Sequence, residues 1–348
     1  MTNPPTVRYL AEICGVSPAT VSMALRNHPR ISAATTKRVQ AAAEEAGYQR
    51  DPRISELMTH LKQAPSRRQR ETLAWITVCD RPETLTSPYI AEVYRGMEAQ
   101  ARLLGYRVDR FNISDTQGIP AKKMEKILLS RGIRGVVFGP LMERKYKIPM
   151  EINSFANIAA SFVNHGIPIS TSMPHHVQNM RLCLHHIQEL GYTRPGLYLN
   201  PEMDDRVEHR SRGAFLANTG EGSSFEVGEV LRENAKGDQL HDWIRTHRLD
   251  VLLTTERDAL SWLRKRGVSI PRDLGFLALS ANPYAYPEPV SGVNEHPEVI
   301  GAFALDLLQG QLHRNDIGPT PFPKEVMYEG SWTGNHTVRR VQPPKSLR

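Results

Sequence analysis

The stretch GVSPATVSMALRNHP, residues 15–29, decides how the chain begins. Upstream of it, Val7, Leu10, Ala11 and Ile13 recur on one helical face, and Gly15 suits the left-handed position just past a helix end. Ser17 can cap a second helix, and Pro18 can fill its first position, where the missing N–H costs nothing. Val21, Ala24 and Leu25 then face back toward Leu10, and Ala11 is small enough to let the two helices approach. The spacing predicts a helix-turn-helix with Ser17–Arg26 as its recognition helix. A third helix, capped by Ser32 and carrying Val39, Ala42, Ala43 and Ala46 on one face, is expected to end at Gly47.

Charge distribution points the same way. Through Arg70 the chain has 11 Lys/Arg against 5 Asp/Glu, a net of +6; subtracting from the totals of 44 and 37 leaves 33 against 32, or +1, for the remainder. A basic end on a nearly neutral body is the electrostatic footprint of a polyanion binder with a separate second function. The three cysteines, Cys14, Cys79 and Cys183, have no CxxC spacing, so neither a disulfide framework nor a zinc ribbon is expected. No apolar run approaches the ~18 residues that span a bilayer, and MTNPPTVRYL lacks a signal core, so a cytoplasmic protein without membrane association is expected.

Residues 6–48, TVRYLAEICGVSPATVSMALRNHPRISAATTKRVQAAAEEAGY, resemble the DNA-binding headpiece of the lactose-repressor (LacI/GalR) family of bacterial transcription regulators. The resemblance implies a homodimer on a double-stranded, pseudo-palindromic operator, with one recognition helix per major groove. Pro18, Ala19 and Met23 fall where the family reads base edges, and Ser17, Thr20 and Ser22 where it meets phosphates. Arg30 falls where some members reach another base. Thr6, at the start of the match, joins the contact set, and Arg8 and Arg26 are read as phosphate contacts. Met23 departs from the Arg or His that family members often carry; it cannot donate to guanine, so an apolar contact such as a thymine methyl is expected there.

After GYQRDPRISELMTHL the resemblance implies a hinge helix over residues 51–61, folded against its dimer mate in the minor groove, with Leu57 as a wedge at the central base step. Alone, so short a helix is marginal in water. Arg53 and Glu56 depart from the small residues common nearby, and QAPSRRQR, residues 63–70, reads as a basic linker.

From Glu71 the pattern alternates. Strands are expected at TLAWITV, YRVDRF, GVVFG, PGLYL, DVLLTT and LGFLAL, with helices at Ile90–Leu104, Lys122–Leu129, Met180–Leu190 and Ala259–Arg266. That rhythm means parallel sheets wound by helices. The fold class read from the whole chain is an all-α helix-turn-helix headpiece (residues 1–50), a hinge and linker (51–70) and an α/β core of two parallel-sheet subdomains (71–338), followed by a tail (339–348). The core is periplasmic-binding-protein-like by resemblance. Its first subdomain is expected over about 71–170 plus 291–318, and its second over about 171–290 plus 319–338.

A small-molecule effector, carbohydrate-like or another small polar metabolite, would bind between the subdomains, outside the carboxyl ends of the strands. By resemblance Arg210 matches the family's effector-contacting Arg. Gln178 and Ser280 stand where Asp is often found, Thr255 and Glu256 where Asn-Asp is common, and Asp80 and Tyr89 follow the first strand. The loss of two carboxylates argues against a standard sugar, or for no ligand at all. His175-His176 and His185-His186 read as surface histidines, since adjacent histidines on a helix point to different faces, and no metal or cofactor is expected. There is no P-loop, GxSxG elbow or GxGxxG after a strand, so nothing recommends an enzyme. The expected function is a regulator, with repression the commoner outcome in the family. The alternatives are a constitutive or architectural regulator without a ligand, and a solute-binding protein, which the headpiece argues against.

Overall fold

The computed structural model describes residues 7–25, 31–46, 48, 71–116, 118–141, 148–161 and 167–341. It divides into two compact units, Met1–Gln69 and Arg70–Arg348.

The first unit contains helices α1 (Val7–Ile13), α2 (Pro18–Ala24) and α3 (Ala33–Glu45). Gly15 takes a φ of +59°, a conformation that costs an L side chain ~1–2 kcal/mol, and the Val16 N–H closes the turn on the Ala11 carbonyl at 3.0 Å. The Ser17 hydroxyl accepts from the Thr20 N–H at 3.1 Å, and the Ser32 hydroxyl from the Thr35 N–H at 3.2 Å. Leu10, Val21, Ala24 and Val39 are fully buried, with Ala11, Cys14 and Ala43 around them. Seven-residue helices do not persist alone in water, so this small core holds them. Helix α2 ends at Ala24, two residues short of the expected Arg26.

The second unit holds two sheets. The larger has six parallel strands in the order Arg107–Ile113, Thr72–Val78, Gly135–Phe138, Ala156–Ala160, Ser170–Pro174 and Glu325–Tyr328, which are β2, β1, β3, β4, β5 and β11 in chain order. Strand β1 is buried almost throughout, as an interior parallel strand must be. After the short α4 (Pro82–Leu85), α5 (Pro88–Leu104) covers one face with α12 (Pro297–Arg314), packed on Trp75, Val137 and Ile158. These two helices meet backbone to backbone: a Cβ on Gly96 would lie 1.8 Å from the Glu298 carbonyl oxygen, and one on Gly301 1.9 Å from that of Val93. The other face packs Ile76, Val136 and Phe138 against Met124 and Leu128 of α6 (Ala121–Ser130).

The smaller sheet runs β7 (Glu229–Arg232), β6 (Pro195–Leu199), β8 (Val251–Thr254) and β9 (Gly275–Ala278), all parallel. Helices α7 (His176–Glu189) and α9 (Arg210–Thr219) cover one face, and α10 (Gly237–Thr246) and α11 (Ala259–Lys265) the other. A short antiparallel pair, β10 (Val293–Asn294) with β12 (Ser331–Trp332), packs beside α7.

The chain passes between the sheets three times: from β5 into α7, from β10 into α12, and from β11 into β12. The subdomain limits therefore differ from those expected. The expected limits put residues 171–174 and 325–328 in the second subdomain, yet these residues pair with each other in the first sheet, from Glu325↔Thr171 to Tyr328↔Pro174. As a half-exposed edge strand, Glu325–Tyr328 carries no continuous apolar run to announce itself.

Candidate functional site

In the headpiece, Ser17 and Pro18 are exposed at the amino end of α2, while Thr20 and Met23 are half-buried. The exposed N-terminal turn of a helix presents N–H groups and a positive dipole end, which suit phosphate. Thr6, Arg26, Arg30, Leu57 and the whole of residues 51–70 lie outside the described residues, as do the side chains of Arg8, Ala19 and Ser22.

In the second unit a cavity of about 130 Å³ opens where the carboxyl ends of the two sheets face each other. Tyr89, at the start of α5, and Ser161, just past β4, line it from the first subdomain. His176, Asn179 and Met180 enter from the first turns of α7, and Arg206 ends the short helix α8 (Pro201–Arg206). Thr255 and Arg257 follow β8, Ser280 follows β9, and Glu295 lies on the crossover into α12. Ser161 holds a φ of +79°, a strained conformation for a residue with a Cβ, of the kind that gathers at binding sites.

Glu295 is 7% exposed. Its Oε2 accepts from Ser280 Oγ at 2.7 Å, Ser280 Oγ accepts from Asn282 Nδ2 at 2.9 Å, and the Glu295 N–H returns to Asn282 Oδ1 at 3.0 Å. Burial pushes the Glu295 carboxyl up to about 7, against the opposing pull of Ser280, Arg206 and Asn282. His176, whose Nδ1 is 3.9 Å from Glu295 Oε1, is pushed down to about 3 by burial and the nearby Arg206 and Arg210, so it is neutral near pH 7. Burial also lowers the Arg206 guanidinium and raises the Tyr89 hydroxyl, which shares a hydrogen bond with Ser161 Oγ at 3.3 Å.

Asn179 Nδ2, Thr255 Oγ1 and Asp204 Oδ1, all in the lining, are buried with no hydrogen-bond partner, although Asn179 Oδ1 accepts from the Gly330 N–H at 2.8 Å. An unsatisfied buried donor or acceptor costs ~1–3 kcal/mol, so these are points where a polar ligand gains most. Asp204 is engaged through one oxygen: its Oδ2 lies 2.7 Å from Arg232 Nε, 3.0 Å from Arg212 Nε and 3.0 Å from His209 Nδ1.

Of the residues expected around an effector, Tyr89, Thr255 and Ser280 line this cavity, and Asp80, Gln178, Arg210 and Glu256 do not. Asp80 accepts from Ser114 Oγ at 2.5 Å, and Glu256 Oε1 accepts from the Asp258 N–H at 3.3 Å. Gln178 stands on α7 one residue before Asn179, which takes the inward position. Arg210 instead forks onto Glu325, with its Nη1 also 3.7 Å from Met173 Sδ. The cations of the lining are Arg206, four residues earlier, and Arg257. Gln178 and Ser280 leave their two positions without carboxylates, but Glu295 and Asp204 bring two others into the lining. His176 is likewise no surface residue, whereas His185 is exposed and His186 stacks on Trp332 at 4.2 Å. A helix starting at His176 repeats at positions 176, 179, 180, 183, 184 and 187, an apolar-and-polar inner face that sequence periodicity could have located.

A basic helix-turn-helix joined to a two-subdomain core with a polar cleft defines a DNA-binding regulator with a ligand-binding body. Residues 6–51 match the model of the bacterial regulatory proteins of the lacI family, and residues 184–331 match that of the periplasmic binding protein-like domain. The chain is 24% identical over 333 residues to the HTH-type transcriptional repressor CytR of Escherichia coli (strain K12), covering 90% of this chain and 91% of that protein. Its fold is similar to that of the lac repressor dimer bound to operator and the anti-inducer ONPF (TM-score 0.53, 16% identity, 97% of this chain and 100% of that one). It is similar also to the transcriptional regulator CelR–cellobiose complex (TM-score 0.56, 18% identity, 96% and 99%). The chain belongs to the lacI family of bacterial regulatory proteins and is a DNA-binding transcriptional regulator. Among the described residues no helix is long and apolar enough to cross a membrane.

Proposed function

We propose that the protein is a cytoplasmic, non-enzymatic repressor that binds a pseudo-palindromic operator as a homodimer and changes its operator affinity when a small polar effector occupies the cleft. The observation that carries this reading is the cavity at the carboxyl ends of both sheets, where Asn179 and Thr255 hold polar groups without partners. Both sheets contribute to its walls, so a ligand there bonds both subdomains at once and favours their closed arrangement by its differential affinity. In the headpiece, Ser17, Thr20, Ser22, Arg8 and Arg26 hold phosphates, Pro18, Ala19, Met23 and Arg30 meet bases, Thr6 assists at the amino end, and Leu57 wedges the central step. Tyr89, Thr255 and Ser280 contact the effector together with Arg206, His176 and Glu295.

The test is operator selection from a random duplex pool at fixed salt, followed by titration of the selected duplex with and without metabolites that raise the protein's melting temperature. A two-fold symmetric selected site, and a metabolite that both stabilises the core and alters operator affinity, are expected. A core that no metabolite stabilises, with operator affinity constant throughout, would favour the constitutive regulator instead.

A further inference from the structure

Charge in the cavity wall cancels, and its unpartnered polar atoms are of both kinds. Arg206 and Arg257 stand against Asp204 and Glu295. Burial raises the Glu295 carboxyl and lowers the Arg206 guanidinium, and each charge draws the other back. Behind the wall, Asp204 and Asp205 are matched by Arg212 and Arg232. A ligand with a net charge of either sign would bring into this buried site a charge that nothing there offsets.

Asp204 is 1% exposed and gripped through one oxygen. Arg232, Arg212 and His209 converge on Oδ2, which leaves Oδ1 as a positioned acceptor without a partner. Asn179, 4% exposed, is its counterpart: the Gly330 N–H holds Oδ1 at 2.8 Å, which sets the orientation of the amide and leaves Nδ2 as a positioned donor. Thr255 Oγ1 can serve either way. Another stretch of the lining is apolar. Met180, Leu199 and Leu279 belong to a single packed cluster, and Met203 stands on α8 next to Asp204 in sequence.

We infer that the cleft selects an uncharged effector that is polar along one edge and apolar along the other, donating a hydroxyl or ring N–H to Asp204 Oδ1 and accepting from Asn179 Nδ2. The inference rests on the regulator reading and names the ligand class of its cleft. A donor aimed at a carboxylate oxygen makes a charge-assisted hydrogen bond, stronger than a neutral pair, whereas an oxyanion there meets like charge. An ammonium would meet Oδ1 as well, yet Arg212 and Arg232 already balance Asp204 and Asp205, so its own charge stays unmatched. A molecule hydroxylated on every side would press hydroxyls against Met180, Leu199 and Leu279 without partners, and each such burial weakens binding roughly tenfold.

The experiment uses the full chain and two ring scaffolds, each carrying at one position a methyl, hydroxymethyl, carboxylate or aminomethyl group. The first is a hexopyranose varied at C6, in the gluco, galacto and manno configurations; the second is uracil varied at C5. One scaffold offers hydroxyl donors and the other N–H donors, so the one that responds identifies the donor. Melting temperature is read first, then affinity by titration calorimetry. The methyl member of one scaffold should raise the melting temperature, its hydroxymethyl analogue should bind roughly tenfold more weakly, and the carboxylate and aminomethyl analogues should give no rise. Asp204→Asn should reverse the preference: Arg232 and Arg212 keep the amide oxygen, the amide N–H takes the place of Oδ1, and the carboxylate analogue gains where the methyl compound loses. A merely loosened fold would weaken both. Asn179→Asp keeps an oxygen on Gly330 and turns the donor into an acceptor, so it should weaken the methyl compound roughly tenfold while operator binding persists; this variant decides the matter if Asp204→Asn does not fold. A charged analogue that stabilises as well as the methyl compound, a panel in which no methyl compound stabilises, or unchanged ligand affinity in Asn179→Asp overturns the proposal. A charged analogue that also shifts operator affinity sinks the uncharged class and leaves the regulator standing. A methyl compound that stabilises without changing operator affinity supports the ligand class and removes the regulatory reading.

Discussion

Arg210 and Glu325 tie the two subdomains together. Arg210 Nη1 lies 3.0 Å from Glu325 Oε2 and Nη2 2.9 Å from Oε1, a two-pronged bridge from α9 beside the smaller sheet to β11 at the edge of the larger. Glu325 raises the Arg210 guanidinium further above its already high value, with Glu208 at 3.6 Å adding to it.

Because Glu325 is partly open to solvent, the bridge contributes no more than ~1 kcal/mol to stability. Its larger effect is on the balance between open and closed clefts, where ~1 kcal/mol shifts the populations about fivefold. Arg210→Ala and Glu325→Gln should each leave the melting temperature within a few degrees of wild type and move the effector midpoint in the same direction. The double variant should do no more than either alone. Additive shifts in the double variant would show that the two residues do not act through each other.

Glu295 makes stability depend on pH. Its folded value, about 7, is raised above the unfolded carboxyl, so the cost of ionising it is absent below about 4.5, grows as pH rises, and is complete above about 7. Glu295→Gln should therefore gain on wild type between pH 5 and pH 8, by about 3 kcal/mol at most. His176 acts in the opposite sense, since its value is lowered and its cost appears as pH falls below about 6.5. Thermal denaturation of both proteins across this range checks the difference; parallel curves would mean that Glu295 is ionised at little cost.

Ser17→Ala should destabilise the headpiece by about 1 kcal/mol through loss of the cap on Thr20 N–H, and the core not at all. Operator affinity should fall by more than the headpiece stability accounts for, because the exposed Ser17 hydroxyl is also an assigned phosphate contact. Equal affinity at saturating headpiece folding would remove that contact.

Leu57→Ala tests the expected wedge. Specific operator binding should drop far more than binding to a scrambled duplex at the same salt, since the wedge serves only a bent site. Equal losses on both duplexes would reduce Leu57 to an ordinary linker residue.

The headpiece was legible in the sequence because each of its turns is specified locally. Gly15 states its own left-handed geometry, and Ser17, Pro18 and Ser32 mark helix starts within three residues of the atoms they serve. The cleft was less legible because its residues are brought together by tertiary structure. Arg206 and Arg210 differ by four positions, about one helical turn, yet they lie on separate helices, with Glu208 and His209 in left-handed conformations between them. No periodicity foretells which of the two arginines turns inward. Glu295 follows a two-residue strand, too short to leave a pattern, and its burial depends on Ser280, Asn282 and Tyr328, which are distant in sequence. The strands that were found, such as Pro195–Leu199, are those with continuous apolar runs; the missed edge strand Glu325–Tyr328 has none.

The contact of Gly96 and Gly301 with opposing backbone has a mechanical meaning. Two helices that touch main chain to main chain leave no side-chain layer to shear, so α5, α12 and the sheet beneath them form a stiff lever arm. Compliance must then concentrate in the three strands of chain that pass between the sheets. The Tyr328 hydroxyl clasps two of them, donating to the carbonyls of Glu295 and His296, the latter at 2.9 Å. Glu295 thus offers its side chain to the cavity and its main chain to the fulcrum, and whatever grips the one end applies torque at the other.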